Sequence, residues 1–257
     1  MGRITNTVKH LIIINALFFV GKLAMPGVFD NLFSLYYYEN PNFRFWQPVT
    51  HMFMHGGFGH ILLNMFGLYM FGSPLEAQWG RTKFLFFYFS AGLGAALIHT
   101  LVNYYHFQVG YDILSSAGLS QAEIVQQIEE IWRQWQSNPT GGYQVLNIDG
   151  MDGDKWSQMT SAYKVSALGA SGAVYGILVA FGLLYPNVEL MLIFLPIPIK
   201  AKYFIPVLLL MDLFSGLTGI SLFGQGIAHW AHLGGALFGF IMAYYWKKNS
   251  FNDRRWD

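Results

Sequence analysis

Hydrophobic residues in this chain fall in long blocks separated by polar segments. Six blocks stand out, at about 7–26, 57–75, 83–105, 169–186, 202–219 and 231–246. Each approaches the roughly 20 apolar residues that a helix needs to cross a bilayer. The pattern predicts an all-α membrane protein of six transmembrane helices, because a spanning segment must satisfy its own backbone polar groups. The one sizeable polar region is 106–164, an insertion between helices three and four. Within it, Ser120-Gln121-Ala122-Glu123 has the form of a capping box opening a helix at about 120–135. Ile124, Ile128, Ile131, Trp132 and Trp135 fall on one face of that helix, with Glu129, Glu130 and Gln134 elsewhere. Two readings stay open: an amphipathic helix resting on the outer leaflet, or one packed on top of the bundle. Asn138 to Gly153 reads as loop, and Asp149, Asp152 and Asp154 as solvated turns without the glutamate that would complete an EF-hand pattern.

Composition agrees with this division. The chain is 54% hydrophobic and 11% charged, against about 25% charged in soluble domains. A net charge of +1 implies no nucleic-acid partner, and the lack of cysteine excludes disulfides and thiolate metal sites. Arg3 and Lys9 precede block one, but no small-residue cleavage site follows it, so it reads as a retained helix. Basic residues set the orientation. Arg3 and Lys9, Arg81 and Lys83, Lys200 and Lys202, and Lys247, Lys248, Arg254 and Arg255 all fall on one side. Region 106–164 carries seven acids against Arg133, Lys155 and Lys164. Both termini are therefore expected in the cytoplasm, with the whole of 1–257 forming a single membrane domain. This charge pattern suits a bacterial inner membrane.

Three helices then run from outside to inside, and depth can be counted from their inner ends. Ser171 lies 15 residues before Pro186, His232 lies 15 before Lys247, and Asn64 lies 16 before Gly80. At about 1.5 Å per residue each sits roughly 22–26 Å above the inner interface. A serine, a histidine and an asparagine at one depth point to chemistry in a protein-lined, water-accessible cavity. Gly172-x-x-x-Gly176 and Gly235-x-x-x-Gly239 let helices four and six approach closely. Serine needs a base to take its proton, and His232 suits that role. The Ser171 amide, the Asn64 side chain and an N–H from His60, one turn before Asn64, form the natural oxyanion donors. No acid stands at a convincing triad position, so a Ser171–His232 dyad is expected. Asp212, in the fifth block, either orients a histidine or makes a structural hydrogen bond. His229 could also face the cavity. His51, His55 and His60 lack an adjoining carboxylate, so no metal is assigned there, and no cofactor is implied. A solute transporter would use a similar polar cavity, but the internal repeat that would support one is not evident.

Taken together, these residues resemble the rhomboid family of intramembrane serine proteases. The resemblance rests on Gly169-Ala170-Ser171-Gly172 followed by Tyr175, and on Ala231-His232-x-x-Gly235-x-x-x-Gly239. It also rests on His60-x-x-x-Asn64 within His55-Gly56-Gly57-Phe58-Gly59-His60, on Gly72-x-x-x-Glu76, and on Trp46-Gln47, where the family often has Trp-Arg. It implies a six-helix core in which Ser171 is the nucleophile and His232 the general base, then acid. His60, Asn64 and the Ser171 backbone would form the oxyanion hole, and Tyr175 would stack on His232. Substrates would be single-span membrane proteins cut in or near their transmembrane segment, at an active site opening to the outside. Helix five and the loop Gly216–Gly226 would act as gate and cap. Inactive rhomboid-like proteins lack the serine or the histidine, and both are present here.

Overall fold

The computed structural model describes residues 3–139, 141–192, 195–220 and 226–249, and is mostly helical. Helix α1 (Asn6–Ala24) leads through α2 (Val28–Phe33) and α3 (Gln47–Thr50) to α4 (Phe58–Gly67). A π-helical turn, Leu68–Gly72, joins α4 to α5 (Ser73–Trp79). Next come α6 (Arg81–Ser116), α7 (Gln121–Ser137), α8 (Gly153–Lys164) and α9 (Ser171–Leu184). An antiparallel hairpin of β1 (Glu189–Leu192) and β2 (Leu195–Lys200) leads to α10 (Ala201–Thr218), and α11 (His229–Asn249) closes the order.

Among the described residues, α1, α6 and α10 are long and apolar enough to cross a membrane, and α9 is a shorter apolar helix. Their outward faces are apolar as well. Leu17, Val20 and Leu23 on α1, Leu210 and Leu217 on α10, and Leu237 on α11 are all exposed. A helix bundle with apolar residues both inside and outside suits lipid as its surroundings.

The centre of the bundle is made of α6, α9 and α11, drawn together by small residues. A Cβ on Gly235 would stand 1.9 Å from the Gly172 carbonyl oxygen, and one on Gly239 would stand 2.5 Å from the Gly176 Cα. Against α6, a Cβ on Gly172 would meet that of Ala95 at 2.3 Å, and one on Gly176 would meet that of Ala91 at 2.6 Å. Without a hydrophobic drive between helices in lipid, such backbone approach supplies the packing energy. Before α1, Glu76 accepts from the Thr5 hydroxyl and from the amides of Thr7 and Val8, both at 2.9 Å, which caps the helix.

Helix α6 differs from the sequence expectation. Instead of ending near residue 105 it continues to Ser116, 36 residues in all, or about 54 Å. Its C-terminal turns, with α7 and α8, enclose a second core of Phe107, Leu114, Ile124, Ile128, Ile131 and Trp156. The capping box is formed: Ser120 Oγ accepts from the Glu123 amide, and the Glu123 carboxylate accepts from the Ser120 amide. Of the two readings for α7 the structure takes the second, because Ile124, Ile128 and Ile131 have no exposed surface left for a lipid leaflet. This second core is tied to the rest through Asn40 Nδ2, which donates to the Tyr163 carbonyl at 2.7 Å. A reciprocal Leu35–Ala167 backbone pair at 2.8 Å adds a second tie, four residues before Ser171.

Candidate active site

Ser171 is the first residue of α9, and the chain reaches it through a bend that only glycine tolerates. Gly169 has φ +124°, outside the range of L side chains. Its amide donates to the His51 carbonyl at 2.9 Å, which fixes the loop against the segment before α4. A side chain at this position would also meet His60, whose Nε2 lies 2.8 Å from an ideal Cβ. The first helical bond of α9 runs from Val174 N–H to the Ala170 carbonyl. The amides from Ser171 to Ala173 therefore belong to the unsatisfied first turn.

The glycine contact between α9 and α11 brings His232 to Ser171. Nε2 of His232 lies 2.9 Å from Ser171 Oγ. Tyr175, one turn further along α9, stacks on the imidazole with ring centroids 4.2 Å apart and planes 17° from parallel. On the other side of the ring, Nδ1 lies 3.3 Å from Asp212 Oδ1, and the same oxygen lies 2.5 Å from Nδ1 of His229.

These contacts select tautomers. An ionised carboxylate only accepts, so the contact to Asp212 needs the His232 proton on Nδ1. That leaves the Nε2 lone pair facing the serine hydroxyl, as a base requires. In His60 the assignment is reversed. The Gly56 amide donates to its Nδ1 at 3.2 Å, so the neutral ring carries its proton on Nε2, the atom turned toward Gly169. Asn64, buried on the same helix, donates from Nδ2 to the His60 carbonyl at 2.9 Å. One of its two amide protons is thereby used and the other remains.

Behind the serine is a small cavity of about 20 Å³, lined by His51, Ala95, His99, Gly169, Ser171 and Ala228 among others. That is room for one water. Burial pushes His51 down to about 4, so its ring is neutral near pH 7. It donates from Nδ1 to the Gln47 carbonyl at 3.0 Å.

A family model described as the rhomboid domain matches residues 42–132 and 145–249. The chain belongs to the rhomboid family. Shorter stretches are similar to curated rhomboids. Over 56 residues the chain is 34% identical to "RHOMBOID-like protein 6, mitochondrial" of Arabidopsis thaliana, covering 22% of this chain and 18% of that protein. Over 70 residues it is 40% identical to "Rhomboid-like protein 11, chloroplastic" of the same plant, covering 27% and 24%. A protein of Bacillus subtilis (strain 168), provisionally named a rhomboid protease, YdcA, is 33% identical over 52 residues, covering 20% and 26%. The chain thus spans between 18% and 26% of the length of these relatives. Family membership and the apolar helices make it an integral membrane protein.

Within this rhomboid, Ser171, His232 and Tyr175 meet, and His60 borders the same loop. The sequence left Asp212 either to orient a histidine or to make a structural hydrogen bond, and the structure places one of its oxygens against both His229 and His232. One feature escaped the sequence. Gln47, at the Trp-Gln departure, is fully buried. It donates to the Asn31 and Asn42 carbonyls at 3.1 and 2.8 Å and accepts from the Tyr36 amide at 3.3 Å, holding the segment between α2 and α4 together. His55 and His60 stack edge to face at 5.0 Å. Arg254, Arg255 and residues 221–225 of the expected Gly216–Gly226 cap lie outside the described residues.

Proposed function

We propose that this rhomboid is an intramembrane serine endopeptidase that cleaves single-span membrane proteins through Ser171 and His232. The observation that carries the reading is the 2.9 Å contact between Ser171 Oγ and His232 Nε2, made with the ring in the tautomer that accepts a proton. Ser171 O–H gives its proton to Nε2 as Oγ attacks the scissile carbonyl. The oxyanion is met by the Ser171 amide, Nε2–H of His60 and the remaining N–H of Asn64. Imidazolium then protonates the leaving amine, and a water admitted to the cavity behind Ser171 hydrolyses the acyl-enzyme. Tyr175 holds the imidazole plane throughout. Gly169, Gly172, Gly235 and Gly239 act indirectly, by permitting the bend and the helix contact. No metal and no cofactor enters this scheme.

In the proposed topology six segments span the bilayer: α1, the α4–α5 segment, α6, α9, α10 and α11. Both termini are cytoplasmic, and residues 106–164 form an outer cap within the one domain. At 14 residues, α9 extends about 21 Å, short of a 30 Å core, which supports a serine recessed below the outer surface. Helix α10, which takes in Gly216 of the expected cap, gates lateral entry of a substrate helix. A bacterial inner membrane fits the charge pattern.

The test is labelling by a serine-directed fluorophosphonate in detergent, with Ser171→Ala as control. Labelling of the wild type alone is expected, together with cleavage of a single-span substrate. Equal labelling of both proteins, or none of either, removes the protease reading.

A further inference from the structure

Asp212 is the only acid in α10 and has 1% of its surface exposed. A carboxylate withdrawn this far into an apolar bundle is expensive unless donors satisfy it. Two donors from α11 meet one of its oxygens, Oδ1, and the Tyr175 hydroxyl of α9 also acts on the carboxylate. His229 and His232 are three residues apart, so their rings share one helical face. Nδ1–H of His229 lies at 2.5 Å and that of His232 at 3.3 Å. The tighter contact goes to the histidine that the proposed chemistry does not use. Other groups facing His232 are Ser171 and Tyr175 from α9 and His60 from α4. Asp212 is the one anion among these described groups.

Resting on the protease reading, we propose that Asp212 and His229 form a positioning pair. His229 anchors the carboxylate, and the anchored carboxylate holds His232 in its proton-accepting tautomer and orientation. When the Ser171 proton moves to Nε2, the ring becomes a cation between Tyr175 and Asp212, and the substrate carbonyl becomes the oxyanion. Asp212 stabilises that cation and takes no proton itself; the same proton later leaves Nε2 for the departing amine. The reaction centre is then Ser171 and His232 with a two-residue support, rather than a bare dyad.

The experiment compares Asp212→Asn, His229→Leu and His229→Asn with wild type in detergent. It reads the fluorophosphonate labelling rate, kcat and KM on a single-span substrate, and Tm. Asp212→Asn is nearly isosteric but lacks the anion, and is expected to lower kcat by roughly 10³–10⁴. Its KM should stay within about twofold and its Tm within a few degrees. His229→Leu, which removes the anchor, is expected to lose more than tenfold in labelling, and His229→Asn, which keeps a donor, to recover most of it. Folded Asp212→Asn with less than a tenfold loss overturns the proposal. If that variant does not fold, the His229 pair decides: equal rates in Leu and Asn overturn it, and rescue by Asn supports it. Loss of fold in both Asp212→Asn and His229→Leu assigns the pair a structural role and overturns it too. Wild-type protein that fails to label refutes the protease reading first, so the two failures are distinct.

Discussion

Asn64 shows how far a residue can be read from its neighbours. Spacing places it on the His60 face and predicts the depth of Ser171, and the structure buries its side chain. One amide proton is spent on the His60 carbonyl, which fixes the side-chain plane and leaves the other for the proposed oxyanion. Asn64→Ala is expected to lower kcat by roughly 10²–10³, with little change in KM because the ground-state carbonyl is weakly held. Turnover assays on a single-span substrate test this, and unchanged kcat would leave Asn64 a packing residue. Ser171, His232 and Tyr175 were equally legible, since small-residue motifs and helical spacing define their surroundings. Asp212 was legible only as one of two alternatives. Its partners sit on another helix, 17 and 20 residues away, and one sequence does not say which face of α10 turns inward.

At the scale of helices, the α9–α11 contact was readable as two glycine pairs, and its closeness is the part that only coordinates supply. At Gly239 an added Cβ would lie 2.5 Å from the Gly176 Cα. That neighbour is backbone and has no rotamer to yield. Gly239→Ala is therefore expected to push the helices apart, lower Tm by several degrees and abolish most fluorophosphonate labelling through separation of Ser171 from His232. Gly142→Ala, with nothing within 4 Å of its Cβ, is the control expected to match wild type in both measurements. The C-terminal half of α6 was harder to see. Tyr104-Tyr105-His106 and Gln108 mark an end to hydrophobicity, yet Phe107, Gly110 and Leu114 are buried at helical spacing where α8 and the Ile face of α7 cover them. Polar composition hid a helix whose partner lay in the next segment. The β1–β2 hairpin was missed for a related reason: Pro196 and Pro198 argue against an interior strand, but a two-stranded hairpin consists of edges, where proline is tolerated.

Across the whole molecule the two cores lie on one continuous helix. Arg81, at the start of α6, and the cap core around Leu114 are therefore separated by roughly 50 Å along one axis, more than the hydrocarbon thickness. They should face different compartments if α6 spans the membrane. Basic residues predict that the Arg81 end is inside and the cap outside. The chain has no cysteine, so single substitutions report without background. Gln126 on α7 and Thr82 on α6 are both exposed, and neither belongs to the proposed site. In intact cells, a membrane-impermeant maleimide is expected to label Gln126→Cys at once and Thr82→Cys only after permeabilisation. The reverse order would invert the topology and put the Ser171 cavity on the cytoplasmic side, and labelling of both before permeabilisation would remove α6 as a spanning helix.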